Sequence, residues 1–173
     1  MKTKLYLYTN LLEEEAKAAS SFELERALKL FWRKTGLCPE KVCKTEKGKP
    51  YFPSGGVYLS VTHTGAFYAV AFAFFPIGID AEKESVVKKR IAERKFTPEE
   101  QKLPFSHVWC GKEAVAKLVG DGLEIVGKVS VSENFAEYAG KDFSLRKMTF
   151  GDTLLVIATE KGVDYGAETL SEK

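Results

Sequence analysis

The chain has 173 residues and carries 26 Lys and Arg against 24 Asp and Glu, a net charge of +2. With 45% apolar and 29% charged residues it is no disordered, collagen-like or coiled-coil chain, and its length suits one large domain or two small lobes rather than a fragment. The longest apolar stretch, Ala66 to Ile79, is broken by Pro76 and Gly78, and it falls short of the roughly 20 residues that span a bilayer, so no transmembrane helix is expected.

The first residues are basic and then alternate through Leu5 to Tyr8. With no long apolar run and no small-residue cleavage site, they predict a strand and not a secretory leader. Ser20 or Ser21 can cap a helix running to about Lys34. Phe22, Leu24, Ala27, Leu28, Phe31 and Trp32 give that helix an apolar stripe, and Gly36 ends it. Strand-like runs follow at Val57 to Val61, Phe67 to Phe75 and Ile77 to Ala81, with His63-Thr64-Gly65 as the turn between the first two.

The second half opens with charged helical sequence from Val86 to Lys95. Then come Thr97-Pro98-Glu99-Glu100, a helix from about Ser106 to Val119 stopped by Gly120, and strands at Val129 to Ser132, Phe143 to Met148 and Leu154 to Thr159. A helix followed by three strands, twice, predicts an α+β fold of two similar lobes, residues 1–82 and 83–173, with a ligand cleft where they meet. The tail from Gly162 is polar and is expected to fray.

Cys38, Cys43 and Cys110 form no CxxC pair and have only His63 and His107 for company. Neither a zinc site nor a disulfide framework is expected, and a reducing cytoplasm fits. Between Arg26 and Lys49 eight basic residues face two acids, a patch suited to a phosphate-bearing ligand or an acidic protein. The near-neutral whole chain argues against nucleic acid.

Asp80 and Glu82, two apart at the end of a strand run, share a face and could hold a hard cation beside phosphate oxygens. Glu113 and Lys117, at i and i+4 on the second helix, are a second acid and an ammonium on one face, or simply an exposed pair. Thr97 with Glu100 forms a capping box, a structural reading that competes with a catalytic one. His63 could donate to a phosphate, and Gly48-Lys49-Pro50 is a turn with a cation. No GxxxxGK[ST] or GxGxxG loop is present.

Taken in order, Gly48-Lys49-Pro50, Ser60-Val61-Thr62-His63-Thr64, Ile77-Gly78-Ile79-Asp80-Ala81-Glu82 and Trp109 to Lys117 resemble the signature of the surfactin-type (Sfp-like) 4'-phosphopantetheinyl transferases. The resemblance spans about residues 45 to 132. It implies transfer of the 4'-phosphopantetheine arm of coenzyme A to a serine of an apo acyl or peptidyl carrier protein, with release of adenosine 3',5'-bisphosphate. The implied fold is a pseudo-duplicated two-lobe monomer, a helix plus a three-stranded antiparallel sheet per lobe, with coenzyme A between the lobes.

By the same resemblance Asp80, Glu82 and Glu113 correspond to the acids that bind Mg2+, with Mn2+ as a substitute. Lys117 neutralises the attacked phosphate, and Lys49, Thr62 and His63 hold the nucleotide end. The base for the serine proton is Glu100, Glu113 or a metal-bound water. The acidic segment from Glu13 to Glu25 departs from the family pattern, with Arg26, Lys29, Arg33 or Lys44 as substitutes for its basic residues. Two other readings compete: a non-catalytic binder of coenzyme A or a carrier protein, and a metal-dependent phosphohydrolase.

Overall fold

The structure, a computed structural model, describes residues 3–13, 15–83 and 94–172. It is a mixed α+β chain that divides into two compact units, residues 1–77 with 164–173, and residues 78–163. The expected boundary after residue 82 thus lies at 77/78, and the C-terminal tail returns to the first unit. The charged helix expected from Val86 to Lys95 lies largely outside the described residues.

In the first unit, β1 (Thr3–Leu11) leads to α1 (Ser20–Thr35), then to a small hairpin of β2 (Cys43–Lys44) and β3 (Pro50–Tyr51), then to β4 (Tyr58–Thr64) and β5 (Phe67–Ala73). β5 is buried at every position, as its unbroken apolar run requires. It pairs antiparallel with both β1 and β4. Phe31 of α1 stacks on Phe72 of β5 with ring centroids 4.4 Å apart, the centre of a core that includes Tyr6, Leu30, Leu59 and Val70.

Three features of α1 differ from the sequence expectation. Its N-cap is Ala19 and no side chain caps it, while the Ser20 carbonyl accepts a hydrogen bond from Tyr68 Oη at 3.0 Å. Phe22, assigned to the apolar stripe, is 66% exposed. Glu23 is buried instead, because Tyr8 Oη and Asn10 Nδ2 on β1 both donate to its carboxylate. Gly36 does end the helix, in the left-handed conformation at φ 71° that a side chain would disfavour.

The second unit begins with β6 (Ile77–Lys83), followed after a 3-10 turn by α2 (Phe105–Val119). β7 (Ser130–Val131), β8 (Phe135–Tyr138), β9 (Lys141–Phe150) and β10 (Thr153–Glu160) complete a five-stranded sheet in the order β6-β10-β9-β8-β7. α2 packs on β10 over a core that includes Val108, Ala114, Val115, Val156 and Ala158.

The tail expected to fray forms β11 (Tyr165–Leu170), which pairs parallel with β1 and gives the first unit a four-stranded sheet in the order β11-β1-β5-β4. Ion pairs anchor it: Glu168 with Lys4 and Lys34, and Glu172 through both guanidinium bonds of Arg26. Two cations of the basic patch are therefore engaged by the chain's own acids. The three-stranded antiparallel sheets expected for each lobe are larger, and the first is mixed in direction. Among the described residues no helix is long and apolar enough to cross a membrane.

Candidate active site around Asp80 and Glu113

The site in the second unit is built by a strand and a helix that touch through backbone. An ideal Cβ on Gly78 would lie 1.9 Å from the Ala114 carbonyl oxygen and 2.6 Å from the Leu118 amide nitrogen, so only glycine allows β6 to approach α2 this closely. Strand alternation then sends Asp80 and Glu82 to the same face as Gly78, toward the helix. On the opposite face Ile77, Ile79 and Ala81 are buried.

α2 supplies the other half. Lys117 Nζ lies 2.6 Å from Asp80 Oδ1, and the aspartate side chain is only 6% exposed. One helical turn back, Glu113 has its carboxyl pushed up to about 7, first by burial and then by the negative charge of Asp80, with Glu82 adding to it. Lys117 and a hydrogen bond from Trp109, at i−4, pull the other way. Asp80, Glu82, Glu113 and Lys117 are thus one electrostatic group. Cys110 sits beside it with its thiol raised by burial and by Asp80 and Glu82, which makes it a poor nucleophile.

A cavity of about 600 Å³ opens beside Glu113, walled by Trp109, Phe96, Leu123, Val126 and Lys95. Its size suits a small-molecule ligand or part of one, and its wall combines apolar surface with two carboxyl groups, those of Glu113 and Glu124, and two ammonium groups, those of Lys95 and Lys112. Phe105 stacks between the two aromatic wall residues, its ring centroid 5.8 Å from that of Phe96 and 5.9 Å from that of Trp109.

Glu100 is placed differently from the other candidates. It closes the capping box, Thr97 N–H donating to Oε2 at 3.0 Å and Glu100 N–H to Thr97 Oγ1 at 3.2 Å, around a 3-10 turn (Glu100–Lys102) rather than a full helix. Its other oxygen accepts from Val131 N–H at 2.8 Å and from Lys112 Nζ at 2.8 Å. Residue and partner are almost wholly buried, and Lys112 also donates to the Val129 carbonyl and lies over the Phe96 ring. Both oxygens are committed to holding the turn, α2 and β7 together.

Sequence reading missed the roles of Lys112, Trp109 and Gly78. A lysine next to a candidate acid reads as exposed, the i+4 spacing of Trp109 and Glu113 was available but unused, and a strand-interior glycine is the general sign of a close approach.

In the first unit, Thr62 and His63 lie on β4, not in a turn, the turn itself falling at Gly65 and Ala66. Thr62 is buried opposite Ala69 and His63 is exposed opposite Tyr68. Lys49 sits on the hairpin loop, where its amide donates to Thr45 Oγ1 at 3.1 Å, and the hairpin packs on β4.

Residues 76–139, which run from β6 to β8 and hold Asp80, Glu82, Glu100, Glu113 and Lys117, match a family model described as the 4'-phosphopantetheinyl transferase superfamily. The chain is similar to the Sfp-type transferases. It is 36% identical over 92 residues to a 4'-phosphopantetheinyl transferase of Bacillus subtilis, across 46% of this chain and 41% of that protein. It is 34% identical over 92 residues to the 4'-phosphopantetheinyl transferase Sfp of Bacillus subtilis strain 168, with the same coverage. It is 30% identical over 93 residues to the transferase gsp of Aneurinibacillus migulanus, across 47% of this chain and 39% of that protein. The match therefore spans about two fifths of each relative's length.

The acids suit a hard cation by type: three carboxylates, of which Glu113 has its carboxyl raised by burial and then by its neighbours' charge. Among the described residues, no three of His, Cys, Asp and Glu are drawn together closely enough to hold a metal as they stand. The donor chemistry fits the ion, and Lys117 supplies the positive charge at Asp80.

Proposed function

We propose that this protein transfers the 4'-phosphopantetheine arm of coenzyme A to a serine hydroxyl of an apo acyl or peptidyl carrier protein and releases adenosine 3',5'-bisphosphate. The observation that carries the reading is the joining of Asp80, Glu82, Glu113 and Lys117 into one charged group inside the segment that matches the transferase superfamily.

Asp80, Glu82 and Glu113 would hold Mg2+, or Mn2+ in its place. Such an ion supplies neutralisation of diphosphate charge as the leaving group departs. The chain's own residues do the rest. Lys117 offers an ammonium to the phosphoryl oxygens, where charge is rearranged during attack. Glu113 would stand beside the ion as the acceptor of the serine proton. Glu100, with both oxygens engaged, serves the reaction as a structural support instead.

Lys49, Thr62 and His63 are proposed to hold the nucleotide end, with Lys49 and His63 as donors to its phosphates. A pseudo-duplicated monomer working in the cytoplasm fits this chemistry, because the three free cysteines and the coenzyme A thiol all call for a reducing compartment.

Chromatography of the nucleotide products tests the reaction class. Adenosine 3',5'-bisphosphate should appear only when coenzyme A, Mg2+ and an apo carrier protein are all present. Release without the carrier would mean a phosphohydrolase, and binding of coenzyme A without release would mean a binding module.

A further inference from the structure

Asp80 is a buried carboxylate on β6 whose charge is met by Lys117 of α2, at 2.6 Å. The lysine side chain is 27% exposed and stands in the last turn of α2, so its ammonium has a route to water while its aspartate partner, 6% exposed, has almost none. An ammonium on a flexible four-carbon stem can leave a partner by changing rotamer, whereas Asp80 is fixed by the strand beside Gly78. A divalent ion held at Asp80 would stand within a few ångströms of this ammonium, and two cations so close repel strongly in a partly buried site.

Resting on the transferase reading of this site, we propose that Lys117 is a resident counterion: it occupies Asp80 until a divalent cation replaces it, and the displacement frees its ammonium for the substrate's phosphate. Two consequences follow from the charges. A divalent cation alone binds more weakly than the three acids would otherwise allow, since it must first displace Lys117. A diphosphate that accepts the freed ammonium removes that penalty, so cation and diphosphate favour each other's binding.

The test uses Mn2+ alone, without coenzyme A, and reads binding by electron paramagnetic resonance on the full chain. Lys117→Met should bind Mn2+ about tenfold more tightly than the unmodified protein, within the range usual for coupled equilibria. Lys117→Arg, which keeps the charge, should show no such gain, and Asp80→Asn should lose the tight site. Equal or weaker binding by Lys117→Met, with an Asp80-dependent site still present, would overturn the counterion role and leave the metal reading intact. No Asp80-dependent binding in any of these proteins would overturn both. A second measurement needs no Lys117→Met protein. In the unmodified chain labelled with 13Cε-lysine, the Lys117 resonance, identified by its absence in Lys117→Arg, should shift on Mg2+ titration. A stationary resonance while Mg2+ binds overturns the proposal.

Discussion

Gly78 and Ala114 meet backbone to backbone: a methyl group on the glycine would fall 1.9 Å from the Ala114 carbonyl oxygen. That contact fixes the distance between the strand carrying Asp80 and the helix carrying Glu113 and Lys117. Gly78→Ala should therefore destabilise the second unit by about 3 kcal/mol or more, since helix backbone cannot yield as a side chain can. Gly111→Ala is the control, because its added methyl would meet only the side chains of Leu145 and Val131, at 3.1 and 3.2 Å. Urea denaturation of the two variants should separate them by at least about 2 kcal/mol; equal stabilities would contradict the close-approach account.

Glu100 and Lys112 form a buried pair in which each leaves the other's charge stranded if removed. Glu100→Gln should lose about 3 kcal/mol of stability, the usual cost of breaking such a pair from one side. Adding Lys112→Met should recover part of that loss. A Glu100→Gln protein as stable as the parent but inactive would instead identify Glu100 as the base.

The pH response follows from Glu113. Its carboxyl is raised from 4.5 to about 7 by burial and by Asp80 and Glu82, so the folded state holds a proton that the unfolded chain releases. Folded protein binds more protons than unfolded protein between those two values, and stability falls as pH rises through that window and levels off above it. In chelator, the melting temperature should drop from pH 5 to pH 8, and Glu113→Gln should flatten that slope. Parallel slopes in the two proteins would remove Glu113 as the cause.

β11 is held by six register pairs with β1 and by the ion pairs of Glu168 and Glu172. Removing residues 164–173 leaves β1 as a bare sheet edge. Its amides should then exchange with solvent faster by roughly tenfold or more, measured by hydrogen exchange. Unchanged protection of β1 would show that the tail adds nothing to this sheet.

What could be read in advance follows physical lines. The apolar runs of β5 and β10 and the periodic helices α1 and α2 bury enough surface to identify themselves, and the glycines after both helices mark their ends. β11 was hidden because Tyr165-Gly166-Ala167-Glu168-Thr169-Leu170 has little apolar surface of its own; its partners lie at the other end of the chain. In the α1 stripe Leu24, Ala27, Leu28, Phe31 and Trp32 do face the core, and only Phe22 was misread, because a buried Glu23 is possible only with Tyr8 and Asn10 to satisfy it. In the site, i and i+2 or i and i+4 spacings revealed which acids share a face. They could not reveal that Lys117 reaches Asp80, 37 residues away, or that Glu100 reaches Val131, 31 residues away.

The central claim is best tested by intact-mass measurement of an apo acyl or peptidyl carrier protein after incubation with this protein, coenzyme A and Mg2+. The account predicts a gain of one phosphopantetheine group on the carrier serine, lost when the metal is chelated and when Glu113→Ala or Asp80→Ala replaces the unmodified protein. An unchanged carrier mass with a panel of carriers, or an equal gain from the two variants, would contradict it.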